Sequence, residues 1–104
     1  MKFKYDFSLV SGGFDPVHVG HLRMFQDAQS LSNKVIVLLN NDEWLIKKKG
    51  KPFMNQNQRK EILEEFKSIS QVIIQKSSGV SSSEAINQFV SQNPNKKICY
   101  CNGG

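Results

Sequence analysis

The sequence predicts an open α/β domain, a doubly wound parallel β-sheet with helices on both faces, and three observations carry that expectation. Four short segments rich in β-branched or aromatic residues, Phe7 to Val10, Val35 to Leu39, Val72 to Ile74 and Ile98 to Cys101, have strand character. Helical apolar patterns lie between them, and strand followed by helix, repeated, implies parallel pairing with right-handed crossovers. A glycine-rich turn joins the first strand to the first helix, at the edge where such sheets bind ligands.

A single domain over residues 1–104 is expected, because a chain of 104 residues has room for one hydrophobic core and no second domain. A hydrophobic fraction of 38% against 22% charged residues, gathered into repeated apolar runs, excludes a disordered chain. The net charge of +5 and pI near 9.4 favour an anionic partner: nucleic acid, an acidic membrane or a triphosphate. The longest purely apolar stretch, Val35 to Leu39, is far short of a bilayer span, and no apolar run follows Lys2 and Lys4 as in a signal peptide. No membrane partner and a cytoplasmic location are therefore expected.

The elements follow in order. After the first strand and its Ser11-Gly12-Gly13 turn, Leu22, Phe25, Ala28 and Leu31 repeat every third residue, with Met24 beside them, as the stripe of the first helix. After the second strand, Asn40 to Asn57 reads as one long loop carrying Trp44, a lysine-rich run and Pro52, of a length that is usually functional or disordered. Trp44 reads as packing this loop onto the sheet rather than stacking on a base. Asn55 or Asn57 is the expected N-cap of the next helix, whose stripe is Ile62, Leu63 and Phe66. Ser77 to Ser83 is a Ser/Gly linker, with Ser82 or Ser83 capping a helix striped by Ala85, Ile86, Phe89 and Val90.

In the last strand, Cys99 and Cys101 share one face and are poor candidates for bridging one another. They read as two reduced thiols rather than a metal or redox pair, because no His or further Cys lies near them in the sequence. The chain ends at Gly104 directly after this strand, where a doubly wound domain usually continues. The expectation is a short domain or one truncated at its C-terminus.

The chemistry concentrates in Ser11-Gly12-Gly13-Phe14-Asp15-Pro16-Val17-His18-Val19-Gly20-His21. Gly12 and Gly13 let the backbone turn tightly and approach a phosphate, while the first turn of the helix offers unpaired N–H groups and the positive end of its dipole. If the helix has begun by His18, then His18 and His21 lie on one face at that end. Gly20 between them leaves the backbone open to a base or ribose. Two imidazoles so placed can donate hydrogen bonds to phosphate oxygens as charge moves onto a leaving pyrophosphate. Lys47, Lys48, Lys49 and Lys51 surround Gly50 in a segment able to fold over a polyphosphate, and Lys48 is the choice among them. Arg59 falls in a first helical turn, where a cation opposes the dipole, so an anionic partner would explain it.

GGFDPVHVGH followed by a helix resembles the signature of the nucleotidyltransferase superfamily with the His-x-Gly-His motif. Asn41-Asp42-Glu43-Trp44, the Lys47 to Lys51 run, Pro52-Phe53-Met54 and Gln58-Arg59-Lys60 resemble the second region of its cytidylyltransferase-like branch, which includes glycerol-3-phosphate cytidylyltransferase and the nucleotidyl domain of ADP-heptose synthase. The resemblance implies a Rossmann-like fold and transfer of a nucleotide from CTP or ATP to a phosphorylated small molecule, with Mg²⁺ bound mainly through the substrate phosphates. It implies catalytic roles for His18, His21, Lys48 and Arg59, and nucleotide binding by Gly12, Gly13, Phe14, Asp15, Gly20 and Gly103. Asp42 would face the acceptor, no metal ligand is assigned, and a homodimer is expected. CTP is preferred to ATP, although Asp15-Pro16 is also common in adenylyltransferases of the phosphopantetheine type.

Two departures from the family pattern stand out. Ser70 occupies the place of an acceptor-side Asp before the third strand, and the family's Ser/Thr-rich segment after the fourth strand is missing, Ser81-Ser82-Ser83 preceding that strand and reading as a helix cap rather than a displaced motif. The competing readings are a non-catalytic nucleotide-binding module and nucleic-acid contact through the basic loop. The intact histidine pair argues against the first. Nucleic acid is not expected, since class I aminoacyl-tRNA synthetases share the His-x-Gly-His motif but are far longer and carry a second lysine-rich signature absent here.

Overall fold

The computed structural model describes residues 3–76 and 83–101. Its elements run β1 (Tyr5–Gly12), α1 (Val19–Leu31), β2 (Ser32–Leu39), α2 (Asp42–Lys49), α3 (Gln56–Glu64), β3 (Gln71–Ile74), α4 (Ser83–Gln92) and β4 (Ile98–Cys101). The strands form one parallel sheet in the order β3-β2-β1-β4, with Val10 registered on Val37 and on Cys101. After β3 the chain crosses back past β1 to reach β4, which leaves the C-terminal end of β1 at the switch point where open sheets hold ligands.

Both faces of the sheet are covered, which explains why Val35 to Leu39 is apolar without alternation. Val10, Val35, Val37, Leu39 and Val72 point to one side and pack with Phe25 and Ala28 of α1 and Leu63 of α3. Leu9, Ile36 and Leu38 point to the other and pack with Phe89 of α4, backed by Phe7, Ala85 and Ile86. The ends of the expected stripes are less buried than the pattern suggested. Leu31, Ile62 and Val90 are exposed at the edges of their stripes, whereas Leu63, one position along α3 from Ile62, is fully buried. No described helix is long and apolar enough to cross a membrane.

One expectation is corrected. Asn40 to Asn57 is not a single loop, because Asp42–Lys49 folds as α2. Asn41 caps it by accepting from the Trp44 N–H, Asp42 and Glu43 sit in its first turn, Lys47, Lys48 and Lys49 in its last, and Gly50 closes it at φ 92°. The lysine run thus complements the negative end of a helix dipole. Asn55 is the N-cap of α3, accepting from the Gln58 N–H, as expected. Ser77 to Ser82, Asn102, Gly103 and Gly104 lie outside the described residues, so the linker, the Ser82 cap and the Gly103 expectation are not placed.

Candidate active site

The turn after β1 does not continue straight into helix. Phe14 takes a positive φ of 49°, and its buried ring packs on Phe25 and meets the edge of His21 at 4.9 Å. The Asp15–Pro16 peptide that follows is cis. His18 then stands one position outside the helix rather than within it: its backbone is extended, and it is the N-cap of α1.

The two histidines interlock at that cap. The Gly20 N–H donates to His18 Nδ1 at 3.0 Å, the His18 N–H donates to His21 Nδ1 at 3.1 Å, and the two rings stack with centroids 3.9 Å apart. A backbone N–H can only donate, so each Nδ1 is the acceptor and each neutral ring carries its proton on Nε2. Burial, and secondarily the neighbouring His18, hold the His21 imidazole below its ordinary pKa, which keeps that ring neutral at physiological pH. The first turn of α1 contains no acidic residue to compete. Two N–H donors fixed by the backbone at a helix's positive end can stabilise anionic charge that develops nearby.

Gly20 gains a second reason to be glycine. A Cβ built there would lie 2.8 Å from His18 Cε1, so the space beside its backbone is filled by the capping ring. Gly20→Ala is expected to lift the His18 ring from its cap and lower turnover by up to about 10²-fold, the cost of a misplacement near 1 Å. The cap itself contributes only about 1 kcal/mol. Turnover measured beside urea unfolding checks this, with the larger loss expected in turnover.

An open recess of ≈ 500 Å³ lies in front of the pair, lined by Gly12, Gly13, Phe14, Asp15, His18, His21, Trp44, Leu45, Lys48 and Lys49 with Ser11, Pro16 and Met24. A recess of ≈ 550 Å³ beside α4 is as large, but its lining of Phe7, Ile36, Ile73, Phe89 and polar side chains includes neither the glycine turn nor an imidazole. Gly13 fits tightly against α2, since a Cβ would come within 2.9 Å of Leu45 Cδ2. Lys48 reaches the recess with its Nζ 4.7 Å from the centre of the Trp44 ring. The two are i and i+4 on α2, so Trp44 belongs to the recess wall that sequence reasoning denied it.

Asp15 also lines the recess, but its side chain is only 1% exposed and its oxygens are engaged. They accept from the Phe53 N–H at 2.6 Å and the Met54 N–H at 2.7 Å, with Lys49 Nζ at 2.7 Å. Asp15 therefore fastens the segment after α2 to the glycine turn. Burial raises its pKa, but the bonds from Lys49, Phe53 and Met54 and the lysine charge outweigh that and hold it below the ordinary carboxylate value. A lowered pKa stabilises the fold above the ordinary value, and the contribution disappears as pH falls through the lowered one. Asp15→Asn should accordingly be less stable than the parent at neutral pH, and the gap should close on acidification, as followed by urea unfolding across pH.

Arg59 lies beneath the turn instead of over the recess. Its side chain is 0% exposed, and each of its three nitrogens meets a protein acceptor, in four bonds: Gly13 O at 2.8 Å, Asn40 O at 2.7 Å, Met54 O at 3.0 Å and Asp42 Oδ1 at 2.8 Å. The cation in a first helical turn is thus explained by the carbonyl ends of β1 and β2, not by an anion from outside. Asp42, expected to face an acceptor, is the partner of Arg59 and does not line the recess. Gly12, Gly13, Phe14, Asp15, His18, His21 and Lys48 come together at the recess, whereas Gly20 lies behind His18 and Arg59 and Asp42 lie below. Among the described residues no group of three or more His, Cys, Asp or Glu is arranged to hold a metal ion.

Residues 9–98 match the model of the cytidylyltransferase-like family. The FAD synthase of Pyrococcus horikoshii is 34% identical over 74 residues, 70% of this chain and 50% of that protein. Glycerol-3-phosphate cytidylyltransferase of Bacillus subtilis is 32% identical over 65 residues, 62% of this chain and 50% of that protein. The bifunctional protein HldE of Aliarcobacter butzleri is 38% identical over 66 residues, 62% of this chain and 14% of that protein. The chain thus spans about half the length of the first two relatives. A lipopolysaccharide core biosynthesis protein from Thermoplasma volcanium superposes with a TM-score of 0.72 over 94% of this chain and 95% of its own, at 15% identity, and so shares the fold.

Proposed function

The chain belongs to the cytidylyltransferase-like family, and from that premise we propose that it transfers a nucleotidyl group to a phosphorylated small molecule and releases pyrophosphate. The observation that carries this reading is the interlocked histidine pair lining the recess, with both Nδ1 atoms held by backbone N–H groups so that each neutral ring has an Nε2–H to donate. In the reaction an oxygen of the acceptor's phosphate bonds to the α-phosphorus of the triphosphate, the bond from that phosphorus to the bridging oxygen breaks, and pyrophosphate departs with the electron pair. His18 and His21 donate to the oxygens that gain charge. Lys48 leaves the face of Trp44 to meet the triphosphate. Mg²⁺, bound mainly through the phosphates of the substrate, neutralises part of their charge. Gly12, Gly13 and Phe14 form the floor on which the nucleotide rests, and Gly20, Arg59, Asp42 and Asp15 hold that floor in shape.

The donor we place first is CTP, with a glycerol phosphate or sugar phosphate as acceptor. The FAD synthase relatives favour an adenine nucleotide as the second reading. Calorimetric titration with CTP and with ATP distinguishes them, and a clear preference for ATP would overturn the first. Pyrophosphate release is then assayed with nucleotide, Mg²⁺ and a panel of phosphorylated acceptors. Tight nucleotide binding with no pyrophosphate from any acceptor would sink the enzymatic reading in favour of a binding module. A cytoplasmic homodimer completes the proposal, and a monomer in sedimentation at high concentration would refute the dimer.

A further inference from the structure

Of the two lysines that line the recess, Lys49 is engaged by Asp15, through the backbone carbonyl at 2.9 Å and the carboxylate at 2.7 Å. Lys48 makes no hydrogen bond or ion pair among the described residues, and its ammonium rests over the Trp44 indole instead. An exposed contact of that kind is weak, whereas a phosphate oxygen offers the ammonium an opposite charge and a hydrogen bond. A polyphosphate in the recess therefore draws Lys48 away and lays open the indole face that it covers. The ring itself stays where it is. Trp44 is half-buried, its N–H donates to the capping Asn41 at 2.9 Å, and its Cζ3 edge lies 3.8 Å from where a Cβ on Gly13 would stand.

The strand order β3-β2-β1-β4 decides which substrate meets that face. The switch point lies between β1 and β4, the side on which open sheets hold a nucleoside. Trp44 stands on α2, which follows β2 on the other side of β1 and is fastened toward β3 by Asn41, whose Nδ2 donates to Gln75 O at 3.1 Å. We propose, on the basis of the nucleotidyl-transfer reading, that Trp44 is the platform for the acceptor: once a nucleotide has drawn Lys48 off the indole, the bared face stacks on a flat ring of the phosphorylated acceptor. Two consequences follow from the one contact. A cyclic acceptor, whether its ring is a sugar or an aromatic, is taken in preference to an open-chain one such as glycerol phosphate. The nucleotide binds first, because an acceptor arriving alone must displace the ammonium itself.

Calorimetry with three phosphomonoesters, a hexose 1-phosphate, phenyl phosphate and glycerol 3-phosphate, tests this. Each is titrated into the full chain alone and into the chain saturated with Mg²⁺ and α,β-methylene CTP or ATP, whose nucleotidyl group cannot be transferred. All three esters carry the same phosphate, so differences among them report the ring. The analogue should tighten the two cyclic esters relative to glycerol 3-phosphate by about two- to fivefold, the strength of one exposed cation–π contact. By linkage, each cyclic ester should tighten the analogue by the same factor. Lys48→Ala has no cover to remove and should prefer the cyclic esters even without the analogue. Trp44→Leu should lose the preference and weaken phenyl phosphate about fivefold or more, the lower end of what a lost stacking partner costs. Trp44→Phe keeps a flat ring and should retain most of it. An analogue that binds while cyclic and open-chain esters respond alike, or a Trp44→Leu chain that keeps the preference, would overturn the platform and leave nucleotide binding intact. If neither analogue binds, the nucleotidyl-transfer reading falls and the platform falls with it.

Discussion

Replacing Arg59 by Met should destabilise the fold by about 3 kcal/mol, the lower end of the cost of breaking a buried ion pair by removing one partner. The lower end applies because the Asp42 side chain is already 32% exposed beside the guanidinium, so its charge stays hydrated when the guanidinium is removed. The remaining cost comes from carbonyl oxygens of Gly13, Asn40 and Met54, each of which loses a charged donor. Urea unfolding reads the effect as a lower midpoint with an unchanged slope. Arg59→Lys should recover only part of it, since one ammonium cannot span four acceptors on three segments. A direct contact with the phosphates, which the resemblance implied, makes the opposite forecast: ordinary stability with a raised KM for the nucleotide. A variant with parental stability would therefore return Arg59 to the mouth of the recess.

The contrast between Arg59 and the histidines marks where a sequence is legible. Val35 to Leu39 announces a central strand because burial on both faces demands an unbroken apolar run. Gly12-Gly13 and the His-x-Gly-His spacing announce a strand-to-helix turn because backbone chemistry there is local. Even so, the alternation seen at α1 begins one residue later than expected, since His18 caps the helix instead of entering it. The helix α2 was legible too, in Asn41, Asp42-Glu43, Lys47 to Lys49 and Gly50, which are start and stop signals in the right order. Its apolar pattern is weak, however, and the lysines drew the reading toward ligand chemistry. What local spacing does not encode is the partner of a long side chain. Arg59 and Asp15 are an ordinary cation and anion in the sequence, and only the approach of Gly13, Asn40 and the Phe53-Met54 backbone converts them into fasteners. The tautomer of the two imidazoles is equally a product of the folded turn.

His18→Ala and His21→Ala should each lower kcat by roughly 10² to 10³, the usual cost of losing one preorganised donor, with a smaller effect on nucleotide affinity. The asymmetry follows from when the charge appears: the pyrophosphate oxygens gain it only as the bond to the α-phosphorus breaks. The capping geometry adds a sharper test at His18, whose ring has two functions on two nitrogens. Asn places an acceptor near the position of Nδ1 and is a strong N-cap, yet has nothing at the distance of Nε2. Gln reaches that distance with a donor but is a poor cap. Stability should therefore be kept in His18→Asn and reduced by about 1 kcal/mol in His18→Gln, whereas turnover should be better in Gln than in Asn. Unfolding midpoints and kcat measured on the same four proteins, parent, Ala, Asn and Gln, separate the two functions. If all the variants turn over at the parental rate, the pair is only a helix cap; if stability and rate fall together across the series, the loss of turnover reflects a damaged turn rather than a missing donor.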